Sequence, residues 1–305
     1  RPNVRLDLLQ HSKSSVTSIN SHLNLILSEF TQHTKCFTDG SKTRYKSACS
    51  FSINSEIFSI RLPNYASVST AELTALLLCL TEISTLKPNG KYLIMSDSLS
   101  SLTSLMNPFT THPISQRILV ILHSLLSQST HVTFLWIPGH VGISEHDLVD
   151  SSARSATNLP KISHPTDPPL SDLKSLYNNY LNSAWNSAWC EQTTNKLFQI
   201  KQDTKPWSSS NRESRREEVV LTRLRIGHTR LTHLHILNEF VLPPSCPMCD
   251  SENLTVNHLF SCPKAFDQRV NNNIPETLSR ALGNSHHIIS SSLQYLRDLH
   301  LFQLI

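Results

Sequence analysis

Four carboxylates occupy positions that suit the holding of hard cations. Asp39 follows Phe37-Thr38 and opens Asp39-Gly40-Ser41, a turn signal after a short apolar strand, and Asp97 comes just after Tyr92-Leu93-Ile94-Met95. Both are expected at the carboxyl ends of strands, where open α/β sheets place their ligands. Glu72 lies near the start of an apolar helix, on the face of Leu76, Cys79 and Ile83. Its carboxylate should meet a sheet rather than water, and burying it is costly without a cation. Asp150 falls in a later helix, with His146 and Asp147 one turn earlier on the same face. Taken singly, each is an ordinary turn, cap or dipole residue. Together they suit Mg2+, which takes oxygen ligands and pairs with phosphate oxygens. Two such ions about 3.5–4 Å apart activate water and stabilise the leaving oxygen in phosphodiester hydrolysis.

A second constellation has different chemistry. Cys246-Pro247-Met248-Cys249 is followed by His258 and Cys262, a C-x2-C-x8-H-x3-C spacing. Two thiolates on a knuckle, then His and Cys one helical turn apart, can close a tetrahedron around structural Zn2+. Such a site contributes about 10–16 kcal/mol of apparent folding free energy to a small module.

The elements that must position these groups follow from periodicity. Strands are expected at 35–38, 47–53, 56–62, 91–95 and 131–137, the second and third joined at Asn54-Ser55. Helices are expected at 69–84, where Leu73, Leu76, Leu77, Leu80 and Ile83 share a face, and at 98–106, 114–126 and 145–156. That order is mixed α/β. The stretch 158–169 has four Pro in twelve residues and reads as a linker. Beyond it, helices are expected at 171–195, 213–222 and 229–240, then the Cys/His cluster.

Composition narrows the classes. With 305 residues, 38% hydrophobic and 16% charged, the chain can bury a core and is not wholly disordered. Six Gly exclude collagen-like and Gly-rich linker readings. No uninterrupted apolar run approaches the roughly 18 residues of a membrane helix, and Arg1-Pro2-Asn3 opens neither a signal peptide nor with Met, so a piece of a longer chain is expected. Seven Cys, three of them between 246 and 262, suit a reducing intracellular compartment, nuclear or cytoplasmic, rather than secretion. Net charge +4 is compatible with nucleic acid but does not single it out.

Four ordered blocks then carry a family resemblance. Phe37-Thr38-Asp39-Gly40-Ser41, Ser69-Thr70-Ala71-Glu72-Leu73, Ser96-Asp97-Ser98, and Pro138-Gly139-His140-Val141-Gly142 through Asp147-Leu148-Val149-Asp150 resemble type 1 ribonuclease H, more narrowly that of non-LTR retrotransposon polyproteins. The resemblance covers roughly residues 33–157. It implies a ribonuclease H-like mixed five-stranded sheet flanked by helices, and an endonuclease that cuts the RNA strand of RNA–DNA hybrids with two Mg2+, or Mn2+ in their place. Asp39, Glu72, Asp97 and Asp150 match the family's metal-binding carboxylates. His140 matches its flexible-loop histidine, which assists proton transfer and product departure. Telling RNA from DNA needs contacts to 2′-hydroxyls, which Ser41 and Thr70 could supply.

The C-terminal portion is similar to the segment that follows ribonuclease H in the same elements: Leu221–His233, then the Cys/His module. The implied organisation is a ribonuclease H-like domain at 33–157, a linker at 158–170, a helical region at 171–240, a zinc module (Cys246, Cys249, His258, Cys262) at 241–270 and a helical tail at 271–305. The implied partners are an RNA–DNA hybrid and the reverse transcriptase portion of a parent polyprotein, with no membrane. Two departures stand out. Glu145-His146-Asp147 replaces the usual Gly-Asn-Glu, putting His146 where an asparagine touches substrate, and Lys46-Ser47-Ala48-Cys49 lacks the usual glycines. Rival readings are a non-cutting nucleic-acid-binding relic and another nuclease or transposase on this fold; the order Asp39, Glu72, Asp97, His140, Asp150 disfavours the latter. Six Arg and three Glu between Arg212 and Arg230 fit either a nucleic-acid-facing stripe or a solvated, partly paired helix face.

Overall fold

Alternation along Cys36-Phe37-Thr38-Asp39-Gly40 decides which helix covers which side of the sheet, because successive strand side chains point to opposite faces. The computed structural model describes all residues except 1, 12–14, 164–167, 234 and 236–241. Six strands form one sheet: β1 (Asn3–Arg5), β2 (Thr34–Lys42), β3 (Ser47–Ile53), β4 (Glu56–Leu62), β5 (Lys91–Ser96) and β6 (His131–Trp136), in the order β1-β6-β5-β2-β3-β4. The β2-β3-β4 meander is antiparallel, while β2-β5, β5-β6 and β6-β1 are parallel. The expected five strands are all present. The sixth, β1, is three residues long with no alternating pattern, and it exists because Asn3–Arg5 pair with Thr133–Leu135.

Helices α1 (Val16–Ser28), α2 (Val68–Thr85), α3 (Leu99–Met106), α4 (Pro113–Ser127) and α5 (Ser144–Ala156) complete the sheet's surroundings. The sequence reading did not foresee α1, which buries Ile19, Leu23 and Ile26. Cys36 faces Cys79 of α2, whereas the ring of Phe37 lies 6.4 Å from that of His146 on α5, so the two helices cover opposite faces. Between them every residue of β3 is buried, and the space that glycines would leave is filled by Ser47, Ala48 and Cys49. Helix α2 is long and apolar enough by length and composition to cross a membrane. Its apolar surface is buried here against β2, β3 and α4, and it carries the buried Glu72.

The proline-rich stretch expected as the linker remains with the first unit where it is described: the Ser163 N–H donates to the Arg61 carbonyl at 3.0 Å. Two compact units divide instead between Tyr177 and Asn178, inside α6 (Leu170–Cys190), a helix that stops short of the expected Asn195. Buried Asp172 ties the start of α6 to α2, accepting from the Ser67 N–H at 3.0 Å and the Thr70 hydroxyl at 2.6 Å. Linker residues 164–167 lie outside the described residues.

The second unit holds α7 (Arg215–Arg225), α8 (Arg230–His233), α9 (Val256–Ser261), α10 (Phe266–Asn271), α11 (Leu278–Ala281) and α12 (His286–Asp298). Of the helix expected at 229–240, α8 is described, and 234 and 236–240 lie outside the described residues, as does 241 at the start of the expected zinc module. Residues 271–305 are part of this unit's core rather than a tail: Leu293, Tyr295 and Leu296 are buried with Val220, Leu224 and Leu259, and the Tyr295 hydroxyl donates to the Leu259 carbonyl at 2.7 Å. The arginines of 212–225 are mostly engaged by protein. Arg212 and Arg297 both pair with Glu217, Arg215 pairs with Glu218, and Arg216 and Arg223 donate to carbonyls of the last residues. Buried Arg225 donates to Leu282, Gly283, Ser209 and Ser210 and stacks over Trp207. The paired-face reading accounts for these side chains.

Candidate functional site

Strand register sets two carboxylates side by side. The β2–β5 pairing ends at Thr38↔Ser96, so Asp39 and Asp97 are the next residues of adjacent parallel strands. Asp39 is not at a strand end, as its turn-like sequence suggested. Strand β2 runs on to Lys42, and Asp39 pairs with Ser50 of β3. The antiparallel hairpin overrides the Asp-Gly-Ser turn signal while the parallel partner drops away, which opens the sheet beside Asp39.

The missing side chain of Gly40 delivers Glu72. A Cβ at Gly40 would lie 2.4 Å from the Glu72 backbone nitrogen and 2.7 Å from the Ala71 carbonyl carbon, so only glycine lets the first turn of α2 lie on β2. That turn is capped by Ser67, which accepts from the Thr70 N–H. Thr70 itself is 1% exposed and bonded to Asp172, so it is withdrawn from the contact with 2′-hydroxyls expected of it; Ser41 is half-buried.

From the other face α5 brings His146 and Asp150, one turn apart. The loop before it turns through two left-handed residues, His140 (φ 57°) and Gly142 (φ 77°). At Gly139 a Cβ would stand 2.7 Å from Asp97 Oδ2, so the loop lies directly against that carboxylate. Trp136 Nε1 donates to the Asp97 carbonyl at 2.9 Å, fixing the backbone at the end of β5. The His140 side chain is 72% exposed, with Nδ1 3.8 Å from Asp150 Oδ2.

The donors do not all share one coordination sphere. Ligand atoms of Asp39, Asp97 and His146 lie within 4.8 Å of one another. Glu72 and Asp150 stand outside that group, yet the charge of Asp150 is felt at both Asp39 and Glu72. Burial, then the charges of Asp97 and Asp150, push the Asp39 carboxyl up to about 7. Burial, then Asp39 and Asp97, push Glu72 well above the usual carboxylate range. Burial holds His146 below the usual imidazole value against the opposing pull of Asp97. Among the described residues neither Asp39 nor Glu72 has an ion pair, and Glu72 Oε2 and His146 Nε2 are buried without a hydrogen-bond partner. Asp150 differs: Arg154, four residues on, donates to it at 2.7 Å. Buried, mutually repelling oxygens with an orphaned acceptor fit a cation.

The sequence reading identified the carboxylates and His140 but not the contributions of Gly40, Gly139, Trp136 or Arg154. Arg154 had a legible signal, the i,i+4 spacing from Asp150. The glycine contacts and the Trp136 bond join residues with no sequence relation.

The Cys/His cluster is assembled within the second unit. Cys246 and Cys262 sulfurs are 3.8 Å apart, and Cys249 Sγ is 3.4 Å from His258 Nε2. The cysteines are free thiols. Two sulfurs at tetrahedral positions about 2.3 Å from one ion are separated by about 3.8 Å. Glu252 lies 2.9 Å from His258 Nδ1, which assigns the proton to Nδ1 and leaves Nε2 to face Cys249. Hydrogen bonds from Ser251 draw the Cys249 thiol down to about 6, toward thiolate. A Cys3His donor set is thus present, with Glu252 as a support that the spacing did not reveal.

No curated protein matches the chain. Residues 31–158 match the family model for RNase H.

Proposed function

We propose that this domain hydrolyses the RNA strand of RNA–DNA hybrids, with Asp39, Glu72, Asp97 and Asp150 as the residues that hold two Mg2+. The observation that carries the reading is the pair Asp39 and Asp97, set adjacent by strand register beside buried Glu72, with no ion pair at Asp39 or Glu72 among the described residues and the charge of Arg154 only partly offsetting the push on Asp39. When bound, the ions supply an activated water and charge stabilisation at the leaving oxygen. The chain's own residues do the rest. Gly40 and Gly139 keep the neighbourhood of the carboxylates free of side chains. Trp136 fixes the backbone at Asp97. His140, exposed on its left-handed turn near Asp150, can take or give a proton at its imidazole and swing away from the site with product.

The second unit, in this reading, is held together by Zn2+ on Cys246, Cys249, His258 and Cys262. The two units derive from a non-LTR retroelement polyprotein, whose reverse transcriptase portion is the expected partner. The support is the ordered motif set followed by the Cys/His spacing.

The test is hybrid cleavage by the full chain with Mg2+, native against Asp97→Asn. Cutting that the substitution abolishes supports the enzyme. Equal hybrid binding with no cutting by either supports the non-cutting relic, a reading favoured by one observation, the Arg154 guanidinium already seated on Asp150.

A further inference from the structure

The sequence departure at His146 has a structural counterpart. Where the family carries an asparagine expected at the substrate, this chain has an imidazole that is 2% exposed. The ring packs beside Phe37 on the inner face of α5. Its Nε2 is buried without a hydrogen-bond partner among the described residues and lies 3.9 Å from Asp97 Oδ1, and a ring nitrogen of His146 falls in the same 4.8 Å group as Asp39 and Asp97. A solvent-excluded nitrogen with no hydrogen-bond partner among the described residues, close to the carboxylates of Asp97 and Asp39, is poorly placed to meet substrate and well placed to donate its lone pair to an ion.

We infer that His146 is a nitrogen ligand to the cation held by Asp39 and Asp97, so that this site favours a first-row transition metal over Mg2+. The inference rests on the metal-site reading above and deepens it. Donors on one ion at about 2.1 Å are separated by about 3 Å when adjacent and about 4.2 Å when opposite in octahedral geometry, and the 3.9 Å between His146 Nε2 and Asp97 Oδ1 lies between the two. The preference follows from ligand chemistry: Mg2+ is served by oxygen, whereas imidazole nitrogen suits the transition metals, and an added nitrogen strengthens their binding without helping Mg2+. The i,i+4 placement of His146 and Asp150 on α5 keeps both side chains on the helix face turned to the cluster.

The test reads metal binding rather than turnover. The full chain, stripped of metal and given one equivalent of Zn2+ for its Cys/His cluster, is titrated with Mn2+ by electron paramagnetic resonance, with Mg2+ affinity measured by competition. Bound Mn2+ should show coupling to a 14N nucleus in spin-echo modulation. His146→Asn and His146→Leu should each lose that coupling and bind Mn2+ about tenfold more weakly, with Mg2+ affinity changed less than twofold; circular dichroism verifies that each is folded. Saturable Mn2+ binding that Asp97→Asn removes, but without nitrogen coupling or with equal affinity in the His146 variants, overturns the histidine ligand and leaves the carboxylate site standing. Absence of saturable binding by the native chain overturns both. Nitrogen coupling in a chain that does not cut hybrid upholds the ligand while removing the nuclease reading.

Discussion

Without a divalent cation, the carboxylate cluster should destabilise the fold that builds it, and Asp39→Asn should relieve that strain. The Asp39 carboxyl is raised from an ordinary 3.8 to about 7, first by burial and then by Asp97 and Asp150. The sign follows from proton linkage. The folded state holds this proton more tightly than the unfolded chain, so the penalty is absent below pH 4, grows as pH rises toward 7 and is complete above it. At about 1.4 kcal/mol per pH unit the full penalty is about 4 kcal/mol; Glu72, shifted the same way, adds to it. The amide removes the charge and keeps the shape, so at pH 8 in EDTA the variant should be more stable than the native chain by about 2–4 kcal/mol. For a unit of this size that is a rise of about 5–10 °C in melting temperature. At pH 4.5 the gain should shrink to about a quarter of its pH 8 value, about 1 kcal/mol, and at pH 8 saturating Mg2+ should raise the native melting temperature but not the variant's. Scanning calorimetry across pH, with EDTA and with Mg2+, reads all three. A variant at pH 8 in EDTA that melts no higher than the native chain would refute the reasoning, because it would mean that the Asp39 charge is neutralised from within the fold.

Two further outcomes test other parts of the structure. Gly40→Ala forces a Cβ into the backbone of Ala71 and Glu72 and should cost about 2–4 kcal/mol, read as a lower urea midpoint of the first unit; an unchanged midpoint would remove the close approach of α2 to β2. Cys249→Ser should lower bound zinc by one equivalent and speed amide exchange through 246–262 while leaving β2, β3 and β4 protected; unchanged zinc content would remove the Cys3His metal reading.

Much of the fold was legible where pattern and environment agree. The meander strands 47–53 and 56–62 end where their periodicity and the Asn54-Ser55 turn place them, because both residues of that turn adopt the left-handed backbone that Asn favours. Helix α2 follows from five apolar residues on one face. The edge strand β1 was not legible, since three residues carry no period and gain their structure from β6 alone. The strand end at Asp39 was misplaced for a related reason: a local turn signal competes with pairing to a hairpin distant in neither sequence nor space, and the pairing wins.

The sequence by itself determined which side chains have the chemistry: carboxylates after apolar strands, an acid on an apolar helix face, three cysteines and a histidine at ligand spacing. Those are properties of residue type and local order, and they survive any arrangement of the chain. Tertiary structure alone decided how the groups meet. Strand register set Asp39 beside Asp97, a glycine without a side chain admitted Glu72, and helix α5 turned His146 inward rather than toward solvent. Such juxtapositions depend on contacts between segments tens of residues apart, which only packing of the folded sheet and helices can establish.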